Sequence, residues 1–135
     1  MVNDLLDILI VDDQTGVRRL LFEALADEGY NVKMASSGTE ALKILSGTLP
    51  SMVLLDMKMP GMNGFETLQE IRRQYGNLTV VMMTAYGDVE VVNQTRALGV
   101  EHYLNKPFDL DDVRVLVKAL LGESHPLGTL QAEIS

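Results

Sequence analysis

Apolar residues along this chain gather in five short runs, each followed by a longer stretch in which apolar positions recur every three or four residues. The runs are residues 7–11 (DILIV), 31–35 (NVKMA), 52–55 (MVLL), 79–83 (TVVMM) and 102–104 (HYL). The first and fourth are continuously apolar after their opening residues, Asp7 and Thr79, and the third throughout, the pattern of strands buried on both faces of a parallel sheet. The second is short and half polar, as suits an edge strand. Between them the spacing predicts helices. Over residues 14–28, Val17, Leu20, Leu21, Ala24 and Leu25 fall on one broad face, and Gly29 is a C′ stop. Phe22 lies off that face, either folded against a neighbouring side chain or free for a partner. Ser36 or Ser37 caps a helix over 38–45, with Glu40 placed to support the cap. Phe65, Leu68 and Ile71 mark a helix over 65–75. Asp88 caps one that runs to residue 98, closed by Gly99. Asp109 caps the last, with Val113, Leu116, Val117 and Leu120 as its buried stripe. Five strands alternating with five helices at these spacings predict an α/β fold, a doubly wound parallel sheet with helices on both faces.

The chain has 135 residues, 47 % of them apolar and 22 % charged, which is the composition of one globular domain with a real core. No apolar run is long enough for a membrane span, and the start, MVNDLLD, lacks the pattern of a secretory leader. Cysteine is absent, which removes disulfides and thiolate metal sites. A cytoplasmic location is the expectation. The net charge of −8 and the lack of a basic patch make this chain alone a poor candidate for nucleic-acid binding, so no direct nucleic-acid partner is expected. Residues 122–135 break the alternation with Gly122, Pro126 and Gly128, so 1–121 is the expected domain and 122–135 a tail or the start of a linker.

What changes the picture is where the runs stop. They end at Asp12-Asp13, at Asp56, at Thr84 and, shortly after the fifth, at Lys106. In a parallel sheet all carboxyl ends lie on one edge, where such sheets bind ligands, so these residues can converge. Three carboxylates in one shallow pocket repel unless a cation offsets them. A purely oxygen donor set indicates Mg²⁺, with Mn²⁺ the alternative, rather than zinc. Lysine and threonine facing the same pocket suit a phosphoryl group, for which Asp56 is the natural acceptor, forming an acyl phosphate.

The segments ILIVDDQ, LLDMKMPGMNG, VVMMTAYG and YLNKPFD resemble the four signature regions of bacterial response-regulator receiver domains, and the resemblance covers about residues 6–121. It implies the flavodoxin-like receiver fold with strand order 2-1-3-4-5. It implies phosphorylation of Asp56 from a phosphohistidine on a histidine kinase or histidine phosphotransferase. Mg²⁺ would be held by Asp13, Asp56 and the Lys58 carbonyl, with Asp12 acting through water. Thr84 and Lys106 would contact the phosphoryl group, Thr84 and Tyr103 would form the switch, and the Lys106–Pro107 bond would be cis. Within the family, DDQ with Gly16, LLDMKMPGMNG, MTAYGD and KPFDLDDVR resemble the single-domain regulators of the sporulation phosphorelay, with departures at Thr15, Asn63 and Tyr103. That likeness implies a relay intermediate passing its phosphoryl group to a second histidine protein. The alternative is a receiver from a larger transcriptional regulator whose DNA-binding part is not in this sequence.

The partner implied is a helical hairpin. Gln14, Thr15, Gly16, Val17, Leu20, Pro107 and Phe108 would flank the acidic pocket as its docking surface. Lys58 and Tyr86, two residues after Asp56 and Thr84, are placed to shield an acyl phosphate from water and prolong its life. Two other classes are disfavoured. A flavin-phosphate site would be repelled by Asp12-Asp13. A phosphatase of the haloacid dehalogenase type needs a D-x-D-x-T/V signature that Asp12-Asp13-Gln14-Thr15 lacks.

Overall fold

The computed structural model describes residues 5–85 and 88–122. Strands β1 (Ile8–Val11), β2 (Val32–Ala35), β3 (Met52–Asp56), β4 (Thr79–Ala85) and β5 (His102–Lys106) alternate with helices α1 (Thr15–Asp27), α2 (Gly38–Leu45), α3 (Gly64–Tyr75), α4 (Val89–Arg96) and α5 (Leu110–Leu121). All neighbouring strands pair in parallel, in the order β2-β1-β3-β4-β5. Among the described residues no helix is long and apolar enough to cross a membrane.

Strand alternation divides the core into two layers. Ile8, Ile10, Met52, Leu54, Val81, Met83 and Leu104 meet Leu21 and Leu25 of α1 and Val113 and Val117 of α5. On the other face, Leu9, Val11, Val53, Leu55, Val80 and Met82 meet Ala41 and Leu45 of α2 and Leu68 and Ile71 of α3. Each fully buried Leu or Ile contributes about 1.5–3 kcal/mol. These two layers therefore fix the strand register that places the carboxyl edge.

Helix boundaries follow local chemistry. Ser37 caps α2 by accepting from the Glu40 backbone N–H, while the Glu40 carboxylate reaches back to the N–H and hydroxyl of Ser36. That hydrogen bonding to Ser36 holds the Glu40 carboxyl below its usual value. Asn63 and Glu66 form a reciprocal capping box that starts α3, so the departure at Asn63 has a structural task. Gly29 takes φ +97, the left-handed conformation expected of a C′ stop.

Leu20, open between core and docking surface, is half exposed, so the core does not use it: only Leu21, Ala24 and Leu25 of α1 are fully covered. Two expectations are corrected. Helix α4 ends at Arg96, short of residue 98, where the Leu98 and Gly99 N–H groups turn back to the Thr95 and Arg96 carbonyls. Strand β2 begins at Val32 because Asn31 serves the loop: its N–H donates to the Asp7 carboxylate and its side chain to the Leu5 carbonyl. Phe22 packs, half buried, against the layer under α1 and α5, which favours the neighbouring-contact reading.

Candidate functional site

Asp12, Asp56, Thr84 and Lys106 come together at the carboxyl edge because β1, β3, β4 and β5 all end there. Asp56 is the last residue of β3 and only 4 % exposed, and Asp12 follows β1 and is fully buried. The Asp12 carboxylate accepts from the Gln14 backbone N–H at 2.9 Å and from the Lys106 ammonium at 2.7 Å. Lys106, the last residue of β5, also stands 3.3 Å from the Asp56 carboxylate, so a single cation spans both acids. The Lys58 N–H approaches the Asp56 carboxylate at 3.4 Å from the loop after β3.

The electrostatics follow from that crowding. Burial pushes the Asp56 carboxyl above its usual range, Asp12 pushes it the same way, and Lys106 opposes both. For Lys106, burial alone pulls the ammonium down. Its hydrogen bond to Asp12 and the charges of Asp56 and Asp12 outweigh that and hold it above its ordinary value. Asp12, Asp13 and Asp56 each offer a carboxylate oxygen, all within 4.8 Å of one another. This acidic, all-oxygen cluster fits a divalent cation, and its excess negative charge gives the cation a reason to bind.

The Thr84 hydroxyl is buried and has no hydrogen-bond partner among the described residues. A buried hydroxyl left unpaired costs on the order of 1–3 kcal/mol, a cost expected where a ligand supplies the missing bond. Thr84 lines a cleft of about 240 Å³ together with Asp13, Gln14, Asp56, Lys58 and Lys106. The Lys106–Pro107 bond is cis.

Among the docking residues, Gln14, Thr15, Gly16 and Pro107 are exposed beside this cleft, and Leu20 is half exposed. Val17 and Phe108 are half buried and lean on the layer under α1 and α5. Tyr103 is half buried over α4, with its hydroxyl bonded there. Tyr86 lies outside the described residues.

Two contributors escape a reading of the sequence. Arg18 donates to the Asp12 carbonyl at 2.7 Å and approaches the Thr15 hydroxyl at 3.3 Å, tying the end of β1 to the first turn of α1. Gly64 sits where a Cβ would come within 2.3 Å of the Asp56 carbonyl oxygen and 2.7 Å of the Met57 Cα. Only glycine lets α3 begin against the backbone of Asp56. A turn-forming glycine is easy to see in sequence, but this close approach is not.

A doubly wound parallel sheet with an acidic cleft at its carboxyl edge is the class of protein these features define. The chain belongs to the response regulator receiver domain family, whose model matches residues 8–118. It is 45 % identical to sporulation initiation phosphotransferase F of Bacillus subtilis over 114 residues, 84 % of this chain and 92 % of that protein. It is 40 % identical to regulatory protein AtoC of Escherichia coli, of which it spans 25 %. Among solved structures, Vibrio cholerae chemotaxis protein CheY4 superposes with a TM-score of 0.82 at 29 % identity, over 87 % of this chain and all of that one. The receiver domain of NtrX from Brucella abortus gives 0.79 at 33 % identity, over the same share of this chain and all of that one.

Proposed function

We propose that this protein is a phosphorelay intermediate that takes a phosphoryl group from a phosphohistidine onto Asp56, with Mg²⁺, and passes it to a second histidine protein. The observation that carries the reading is the unpaired Thr84 hydroxyl, which shares one cleft with Asp56 and Lys106. A phosphoryl group on Asp56 supplies the acceptor that Thr84 lacks and a new anionic partner for Lys106. The match over 92 % of the sporulation phosphotransferase supports a relay built from this domain alone.

In the transfer, an Asp56 carboxylate oxygen forms a bond to phosphorus as the phosphorus–nitrogen bond of the donor histidine breaks. Lys106 offsets charge on the transferring oxygens and Thr84 donates to one of them. Asp13, Asp56 and the Lys58 carbonyl are the residues that would hold Mg²⁺, with Asp12 acting through water. The ion would neutralise phosphoryl oxygens during transfer. The partner is a histidine kinase or histidine phosphotransferase, docking on Gln14, Thr15, Gly16, Val17, Leu20, Pro107 and Phe108. The protein catalyses its own phosphorylation and a slow dephosphorylation. Its working unit ends near residue 121, with 122–135 as a tail or linker, and its setting is the cytoplasm. The 40 % identity to AtoC favours a second reading, a receiver from a larger transcriptional regulator.

The relay is tested with two histidine phosphotransferases. The chain is charged by one, stripped of it, and offered to the other. Phosphoryl should appear on the second protein in amount matching its loss from this one, and Asp56→Ala should carry none across. Loss to water alone, with nothing reaching the second protein, contradicts a relay.

A further inference from the structure

Helix α4 is attached to the sheet in an unusual way. Its one fully buried residue is Thr95, a polar side chain, whereas Val89 is 66 % exposed and Val91 and Val92 are only half covered. Helices α1, α3 and α5 each bury an apolar stripe, but α4 has none among its residues. A helix held by so little apolar contact depends on whatever polar contacts it makes.

Those contacts converge on Thr95. Its hydroxyl lies 2.8 Å from the Val91 carbonyl, 3.3 Å from the Val92 carbonyl and 2.8 Å from the Tyr103 hydroxyl. The Tyr103 hydroxyl is also 3.1 Å from the Val92 carbonyl and 3.4 Å from the Val100 carbonyl. Two hydroxyls bring two protons. The shortest contacts are all used when Thr95 donates to Val91 and Tyr103 donates to Thr95. If Tyr103 leaves, Thr95 keeps its bond to Val91, so the loss falls on the tyrosine alone. Tyr103 pairs in register with Met82, two residues before Thr84 on the same face of the sheet. The Tyr103 hydroxyl is thus richly partnered, whereas that of Thr84 has no partner among the described residues.

We propose that Thr95 is a positioning residue. Its hydroxyl pins Tyr103 and α4 to each other in the resting protein and sets how readily the α4–β5 face rearranges. That any such rearrangement follows phosphorylation rests on the function proposed above; the pin itself does not.

The test therefore uses the full chain without phosphodonor, comparing Thr95→Val, which keeps the shape and removes the hydroxyl, with Thr95→Ser, which keeps the hydroxyl. Amide hydrogen exchange of residues 89–98 and the ring signals of labelled Tyr103 are read by NMR. Thr95→Val should speed exchange in α4 by about two- to fivefold, less than the loss of a whole hydrogen bond because the Val92 carbonyl at 3.1 Å can still accept from Tyr103, and should move the Tyr103 signals. Thr95→Ser should behave as the parent. Thr95→Val should add nothing in a Tyr103→Phe background, where the bond is already gone. Unchanged exchange in Thr95→Val, an equal effect in the Tyr103→Phe background, or equal acceleration across α1 and α3 would each overturn the pin.

Discussion

Asp56 and Asp12 lie side by side with a single lysine between them, and the strain of that arrangement is measurable. Asp56 is raised because burial and the Asp12 charge disfavour its ionised form. A carboxyl raised in the folded state favours folding at pH below its unfolded value, and that advantage disappears as pH rises through the folded value. At neutral pH, ionised Asp56 therefore opposes folding of the metal-free protein. Asp56→Asn should raise the metal-free melting temperature at pH 7, because the amide carries no charge to be buried beside Asp12. The gain should fade below the ordinary carboxylate range and shrink when Mg²⁺ is added, and thermal melts at several pH values with and without the ion check all three. Asp12, Asp13, Asp56, Thr84 and Lys106 could be picked out beforehand because each sits at or just after a strand end, and strand ends are visible as the limits of apolar runs. Arg18, Gly64 and Thr95 could not. Their roles depend on a carbonyl, a backbone or a phenol brought near by another part of the chain.

At the scale of elements, the junction of β3 and α3 does the most to shape the site. The Gly64 N–H donates to the Met57 carbonyl, and the absent Cβ lets the helix start directly on the backbone of Asp56. Gly64→Ala should cost about 1–3 kcal/mol through forced separation of the two segments. It should also weaken Mg²⁺ binding, read by titration of the variant under conditions where it is fully folded. Asn63→Ala removes the capping box from the same helix and should cost about 1 kcal/mol while leaving Mg²⁺ affinity unchanged. Together the two variants separate the start of the helix from its approach to Asp56. All five strands and five helices could be read from periodicity and caps, since each has a strong local signal. The end of α4 and the exposure of Leu20 could not, because packing between elements decides them.

For the whole molecule, the two core layers place an acidic cleft at one edge, with Gln14 and the exposed first turn of α1 at Thr15 and Gly16 beside it and the half-exposed Leu20 further along the same helix. Leu20→Glu changes a side chain the core does not need. It should slow transfer from a phosphohistidine partner by tenfold or more, about 1.4 kcal/mol, while labelling by a small donor is retained; parallel rate measurements with both donors check this. Equal loss with both donors would mean that Leu20 serves the fold. Strand order and the acidic edge followed from alternation and resemblance, whereas this free surface depends on how α1 is rotated against the sheet. The most direct test of the account is to incubate the protein with Mg²⁺ and acetyl phosphate and locate the modification by mass. The account predicts one acid-labile phosphoryl group on Asp56, formed only with the metal, absent from Asp56→Ala and strongly reduced in Asp13→Ala. Undiminished labelling of Asp56→Ala would contradict it.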